Sequence, residues 1–149
     1  MTEATLELVQ AKQAELAALI DALTRKPQAL QLPAAVIQLT GDEWYAGAVL
    51  NEDGTIKHHL VAVTHTTGLD FDEAQEWAKD RGLSAPTKQE ARLIVAHRYN
   101  RLADLSWFWT CEPHSESSYA WFCHLYHGTV YYRHRSASGG AVAVRRVNP

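Results

Sequence analysis

The sequence predicts an α+β domain preceded by a separate N-terminal helix. Apolar residues recur at spacings of three and four along the first 26 residues, which is typical of an amphipathic helix. Two helix-start motifs follow one another in the middle of the chain, and strand-like segments lie before and after them. Because helices and strands come in runs rather than alternating, the pattern favours α+β over α/β. A chain of 149 residues is long enough for one such domain with its own core.

Residues 4–26 are predicted to form an amphipathic helix that associates with other copies of the chain. Gln13 occupies one position of the seam, and Arg25, Lys26 and Pro27 mark the end of the helix. We expect a helical segment at 1–26, a linker at 27–38 and a domain at 39–149. The alternative is that the helix packs on its own domain; the proline-bearing linker favours self-association. The apolar seam consists of Leu6, Val9, Leu16, Ile20 and Leu23.

A strand hairpin and two helices are predicted next. Strands at 44–50 and 56–63 flank an Asp-Gly turn at Asp53. Asp70 is followed three residues later by Glu73, and Thr87 by Glu90, so each pair predicts a capping box at a helix start. We expect the helix that starts after Asp70 to end at Gly82.

The last forty residues predict a run of antiparallel strands at 107–110, 119–126, 129–135 and 141–147. His127-Gly128 supplies a turn between the second and third of these strands. Residues 136–140, which are serine, alanine and glycine, supply the link to the last one.

Composition and charge exclude several classes of protein. The net charge of −3 argues against nucleic acid as the main partner, although residues 98–149 hold six Arg against three acidic residues. The chain has no apolar run of the ~18 residues that span a bilayer, and its start lacks a secretory signal pattern. We therefore expect synthesis in the cytoplasm and no membrane partner. Cys111 and Cys123 are then expected as free thiols, with pairing left open.

Several motifs follow one another along the second part of the chain. They are Asp70-x-x-Glu73-Ala74-x-x-Trp77-Ala78, Pro86-Thr87-x-x-Glu90, Trp109-Thr110, Tyr119-Ala120-Trp121, Gly128 and Ala143–Val147. This ordered series resembles the C-type-lectin-like domain of phage and bacterial proteins, from Leu39 to Val147. The family includes C-terminal domains of collagen-like adhesins and is similar in fold to phage tropism determinants. The resemblance implies that strands after the second helix carry the ligand-facing side chains.

The sequence departs from the calcium-dependent members of that family. Glu112-Pro113 matches the first half of their sugar motif, but His114 follows where asparagine is expected. The chain also has no later Trp-Asn-Asp. No calcium, other metal or organic cofactor is therefore expected.

One face of the predicted strand 119–126 is the first candidate for a ligand site. Alternation places Trp121, Cys123 and Leu125 toward the core. The side chains of the other face are then exposed, and together with nearby side chains they form an aromatic patch. The alternative is that a neighbouring subunit covers this patch. The candidate ligand-facing residues are Phe122, His124, Tyr126, Tyr131 and Arg133.

The polar segment 112–118 is the second candidate. Its side chains Glu112, His114, Ser115 and Glu116 suit adaptable hydrogen bonding in a binding loop. A plain surface loop is the alternative.

Metal binding and catalysis find little support in the sequence. His114, His124, His127 and His134, with Cys111, match no zinc-ligand spacing. No nucleophile elbow is present, and a Cys-His pair is the remaining route to catalysis. Formylglycine-generating enzymes have a fold distantly similar to the lectin-like one, which is why this route is considered. No catalytic residue is predicted.

These observations together predict a non-enzymatic phage or prophage-encoded binding protein. Its expected ligand is a host protein or a surface glycan, and the N-terminal helix makes it a homodimer or homotrimer. The expected location is the cytoplasm or a virion. The alternatives are a structural subunit of a phage particle and a Cys/His metalloprotein or enzyme.

Overall fold

The computed structural model describes residues 2–25, 29–98 and 100–149 and has two compact units, Met1–Gln31 and Leu32–Pro149. The second unit combines helices with a six-stranded sheet, which confirms the α+β class. In chain order the elements are α1 (Glu3–Thr24), β1 (Trp44–Leu50), β2 (Ile56–Leu69), α2 (Phe71–Lys79), α3 (Lys88–His97), β3 (Trp107–Pro113), β4 (Tyr119–His124), β5 (Val130–His134) and β6 (Gly139–Val147).

Helix α1 presents its whole apolar seam to solvent. Thr2 caps the helix, because its side chain accepts a hydrogen bond from the Thr5 backbone N–H. The helix ends at Thr24, and the stop predicted at Lys26-Pro27 lies outside the described residues. None of its side chains is buried, including the large apolar residues of the seam, Leu6, Val9, Leu16, Ile20 and Leu23.

Both predicted capping boxes are present. The Asp70 side chain accepts the Glu73 N–H at 2.9 Å, and the Glu73 carboxylate accepts the Asp70 N–H at 3.2 Å. Thr87 and Glu90 exchange the equivalent pair of hydrogen bonds at the start of α3. Each box satisfies N–H groups that a helix start otherwise leaves unpaired, so both helices begin where the sequence predicts.

The last strand lies in the middle of the sheet. The strand order is β1-β2-β6-β3-β4-β5, so β6 pairs antiparallel with β2 and meets β3 in a parallel contact at Phe108 and Gly140. The prediction of a purely antiparallel run was therefore wrong at this position. Gly139 and Gly140 permit the close approach, because a Cβ atom on Gly139 would overlap the Trp107 ring.

The sheet is covered on both faces around β3. Neighbouring residues of a strand point to opposite faces, so Phe108 enters one core while Trp107 and Trp109 enter the other. The first core includes Ala91 and Ile94 of α3. The second core includes Phe71 and Ala74 of α2, together with Ala120, Phe122 and Ala141.

Strand bounds differ from the predictions at several places, including the start of β6, which is Gly139 instead of residue 141. Strand β2 continues to Leu69 instead of ending at 63, and β3 continues to Pro113, so Glu112 and Pro113 belong to a strand rather than a loop. Strand β4 ends at His124, two residues before Tyr126. Across the described ranges, no helix has the length and apolar character needed to cross a bilayer.

Candidate functional site

Four rings converge at the outer end of β4 and β5 and are called the aromatic cluster below: His114, Tyr119, Trp121 and Tyr132. The His114 ring lies 4.4 Å from Tyr132 and 5.1 Å from Trp121, measured between centroids. The Tyr132 ring lies 5.6 Å from Tyr119 and 5.7 Å from Trp121, in both cases edge to face. These separations and tilts are those of favourable aromatic pairs.

Strand register explains why these rings meet. Tyr119 and Trp121 are two residues apart on β4 and therefore share a face. The pairing of β4 with β5 places Tyr132 directly opposite Trp121. His114 follows the end of β3 and donates its backbone N–H to the Tyr119 carbonyl at 3.0 Å, which holds its ring over the same face.

The aromatic cluster is partly open to solvent. Tyr132 is exposed, and the other three rings are half-buried. Neither core includes any of the four. A contiguous group of large rings outside both cores is therefore the candidate contact surface, since exposed apolar patches often mark interaction sites.

Lys88 joins the aromatic cluster to the start of α3. Its Nζ lies 4.3 Å from the centroid of the Trp121 ring, a cation–π contact. Its backbone N–H donates to Glu112 Oε2 at 2.7 Å. The Glu112 carboxylate therefore occupies the N-terminal end of α3, where the helix dipole favours a negative charge.

Phe122 is buried, and its prediction as an exposed residue was wrong. It is 6% exposed and packs edge to face on Trp107, with centroids 5.0 Å apart. Helix α2 covers this face of the sheet, so the alternation places Phe122 in the second core. Arg133 lies over the same two rings, with its guanidinium carbon 4.5 Å from Trp107 and 5.0 Å from Phe122.

The placement of Trp121 in the core was also wrong. Alternation correctly puts Trp121 on the face opposite Phe122, but α3 covers that face only as far as Cys123. Trp121 lies beyond this cover and is half-buried. With both faces covered near the centre of the sheet, alternation alone cannot identify the exposed side.

Three other predicted residues lie near the β4–β5 turn or on β5. Tyr126 and Tyr131 are 82% and 57% exposed. The Tyr131 ring stacks on Tyr132 at 4.6 Å and so extends the aromatic cluster. His124 is half-buried, and its Nδ1 accepts the Tyr126 N–H at 3.2 Å, which ties it to the turn.

Of the predicted binding loop 112–118, residues 114–118 lie between β3 and β4. Ser115 and Glu116 are exposed there. The Glu116 N–H donates to Nδ1 of His114 at 3.1 Å, and the Tyr119 N–H donates to the Glu116 carbonyl at 3.0 Å. The loop therefore positions the His114 ring, while Ser115 makes no side-chain hydrogen bond within the described residues.

An ion pair with a buried carboxylate lies at the start of α3, beside the aromatic cluster. Glu90 is 1% exposed, and its carboxylate accepts hydrogen bonds from Arg146 at 2.6 and 2.7 Å. His58 Nε2 and the Thr87 N–H add two more, at 2.8 and 2.9 Å. Burial by itself raises the pKa of the Glu90 carboxyl, but these donors and the charge of Arg146 outweigh burial and lower the pKa to about 2.

The two cysteines are free thiols. Burial raises the pKa of Cys123 to about 11, and burial together with the nearby Glu112 charge raises the pKa of Cys111. Thiolate is the reactive form of cysteine, so neither side chain is activated as a nucleophile.

The histidines do not form a metal cluster in the part of the chain that the structure describes. No group of three or more His, Cys, Asp or Glu side chains there is arranged to hold a metal ion. The strand register separates His124 from His134, because His134 lies opposite Tyr119 and bonds to Ser136 Oγ at 2.7 Å.

A cavity of about 600 Å³ lies away from the aromatic cluster, between the start of β1 and the middle of β2. Its lining is mixed, with Trp44, Arg101 and the carboxylate of Glu43 among its side chains. His65 is in this lining and bonds to Asp104 at 2.9 Å. Glu43 is already paired with Arg145, and no cluster of aromatic rings lies there, so we favour the aromatic cluster as the site.

Sequence reasoning missed Tyr119, Trp121, Tyr132 and Lys88. The first two were predictable as a same-face pair on β4, but choosing between the faces required the positions of α2 and α3. The sequence around Lys88 does not mark it as a site residue, since its one local feature is that it follows the helix cap Thr87. Searches against models of known protein families and against curated proteins gave no match.

Glu90→Gln is expected to lower the free energy of unfolding by about 2 kcal/mol at pH 7, since it weakens the charge-assisted hydrogen bonds that the carboxylate accepts from Arg146 and His58. Glu73→Gln is the matched control, because Glu73 also closes a capping box but is exposed and has no ion pair within the described residues. Urea unfolding followed by circular dichroism measures both variants, and equal losses would contradict the role of the ion pair.

The same interaction predicts a pH dependence of stability. The Glu90 pKa in the folded state lies below its ordinary value of 4.5, so the stabilisation is complete above pH 4.5 and is lost as the pH falls toward about 2. Urea unfolding between pH 5 and pH 2 is expected to show a steeper loss for the wild-type chain than for Glu90→Gln. An equal fall of the unfolding free energy with pH in both chains would contradict a contribution from Glu90.

Proposed function

We propose that the chain is a non-enzymatic, phage or prophage-encoded binding protein whose C-type-lectin-like domain recognises a host ligand through the aromatic cluster. The observation that carries the proposal is the convergence of His114, Tyr119, Trp121 and Tyr132 outside both cores. Rigid rings with polar edges provide large contact area at low entropic cost.

The arrangement of the second unit supports the lectin-like part of the proposal. The C-terminal strand β6 returns to pair with the hairpin strand β2, and α2 and α3 lie between that hairpin and the remaining strands in the sequence. The sheet end that carries the aromatic cluster belongs to the strands after the second helix. The family resemblance assigns ligand contact to these strands.

Two observations favour binding over catalysis at this site. The Glu112 carboxylate, two residues before His114, is engaged by the Lys88 backbone N–H, and the thiol of Cys111, on the same strand, has a raised pKa. Recognition needs only the rings and their polar edges, whereas acid–base or nucleophilic work needs an activated group.

The ligand is proposed to be a host surface glycan or a host protein. A structural subunit of a phage particle is the second candidate, favoured by the exposed ring of Tyr131 next to the cluster. The two candidates differ in whether the rings are free or covered when the protein is assembled.

His114→Ala combined with Tyr132→Ala is expected to weaken ligand binding at least ~30-fold, because central aromatic residues dominate interface energies. The wild-type chain and the variant are compared on printed arrays of bacterial surface polysaccharides and of bacterial proteins. The matched control replaces a tyrosine and a histidine elsewhere, Tyr45→Ala with His65→Ala, and is expected to bind as the wild type does.

Two results would contradict the proposal. One is undiminished binding by the cluster variant, and the other is the failure of the wild-type chain to bind either array. Loss of assembly by the cluster variant, seen by light scattering, would instead favour the structural subunit.

Helix α1 is proposed to assemble the protein into a dimer or trimer. Its seam of Leu6, Val9, Leu16, Ile20 and Leu23 follows a heptad pattern and is exposed. Joining several binding domains raises the overall avidity without new contacts, which gives the helix a function in recognition.

Deletion of residues 1–30 is expected to give a folded monomer, because Leu32–Pro149 contains both cores and all six strands. Light scattering gives the mass, and thermal unfolding shows whether the domain stays folded. In the full chain, Leu16→Asp with Ile20→Asp is expected to give a monomer too, while Lys12→Ala off the seam leaves the mass unchanged. An oligomer that survives the deletion would show that the domain makes the contacts.

A further inference from the structure

A cavity of about 390 Å³ beside the start of α3 adjoins the aromatic cluster. Lys88 belongs to both, because it lines the cavity and its Nζ lies 4.3 Å from the Trp121 centroid. Glu112 lines the cavity two residues before His114. A ligand lying on the rings can therefore extend a side chain into this space. The lining consists of Val49, Lys57, His58, Thr87, Lys88, Gln89, Arg92 and Glu112.

The lining is cationic although the whole chain is not. Lys57, Lys88 and Arg92 face one carboxylate, that of Glu112, while the chain carries a net charge of −3. Glu112 is engaged by Lys88, with Oε2 2.7 Å from its backbone nitrogen and Oε1 4.0 Å from its Nζ. Among the described residues, neither Lys57 nor Arg92 has an ion-pair partner.

The buried carboxylate next to the cavity does not neutralise these cations. Glu90 is bonded to Arg146, His58 and the Thr87 N–H and is closed to solvent. Its charge is matched by Arg146. The positive charge of Lys57 and Arg92 is thus available to an incoming group.

We propose that this cationic cavity anchors an acidic side chain of a partner protein whose neighbouring apolar residues lie on the aromatic cluster. The inference rests on the proposed function and specifies its ligand class. Charge complementarity identifies the partner as acidic, since a pocket with a surplus of Lys and Arg attracts carboxylates and disfavours cations.

The surroundings favour a protein segment over a glycan. Tyr131 and Tyr132 project from β5. Flat rings next to one charged pocket fit a peptide segment in which an acidic side chain lies among apolar ones, while a single sugar ring would use only the cluster.

The test is selection of binders from a random library of 12-residue peptides displayed on beads, using the intact chain as bait. Peptides chosen by the wild-type chain are expected to be enriched in Asp and Glu beside aromatic or aliphatic residues. Lys57→Gln, Lys88→Gln and Arg92→Gln, combined in one variant, are expected to weaken the best peptide at least ~10-fold, mainly through slower association. Lys79→Gln, on the exposed side of α2, is the control and is expected to bind as the wild type does.

Each result of this selection either supports or overturns the proposed anchoring of an acidic side chain. Acidic enrichment that the triple variant loses, with an affinity that falls as salt is added, supports the proposal. Peptides without acidic enrichment, or equal affinity for the triple variant, overturn it. Binding to acidic polysaccharides with no peptide selected overturns the protein partner. Loss of peptide binding in His114→Ala/Tyr132→Ala with no effect of the triple variant overturns the anchoring pocket alone and leaves the proposed function standing.

Discussion

The arrangement of the domain depends on the buried carboxylate of Glu90, which connects three of its elements. It closes the capping box of α3 with Thr87 while it pairs with Arg146 of β6 and His58 of β2. One side chain thus joins a helix start, the C-terminal strand and the hairpin, elements that are far apart in the sequence. A buried charge is costly unless its partners are fixed, so this network specifies where α3 begins and, with it, where Lys88 lies.

The position of α3 decides which rings are covered. Helix α3 packs on the face that includes Cys123 and contacts Trp121 through the Lys88 side chain, whereas α2 covers Phe122 on the opposite face. The rings at the outer end of β4 and β5 therefore lie outside both cores. His114 adds to them because the β3–β4 loop is tightened by hydrogen bonds to Tyr119 and Glu116. Surface and core are thus set by the same helix placement.

Local chemistry could be predicted from the sequence, and long-range packing could not. The capping pair Asp70 and Glu73 acts within one helical turn, so the start of α2 follows from the residues themselves. The central place of β6 depends on its pairing with β2 and on Gly139 meeting Trp107, which no local pattern encodes. Alternation separated Trp121 from Phe122 correctly, but the exposed one is chosen by helices elsewhere in the chain. Exposure was therefore the part of the site that sequence patterns misassigned.

The proposed function requires that the Trp121 face stay open in the assembled protein. Fluorine NMR of the intact chain labelled with 5-fluorotryptophan, with and without a soluble paramagnetic agent, tests this most directly. Trp121→Phe identifies the Trp121 signal, and the fully buried Trp109 is the internal reference. An accessible face predicts strong broadening of the Trp121 signal and little change for Trp109. A Trp121 signal as protected as that of Trp109 would show the face to be covered by another copy and would contradict the account.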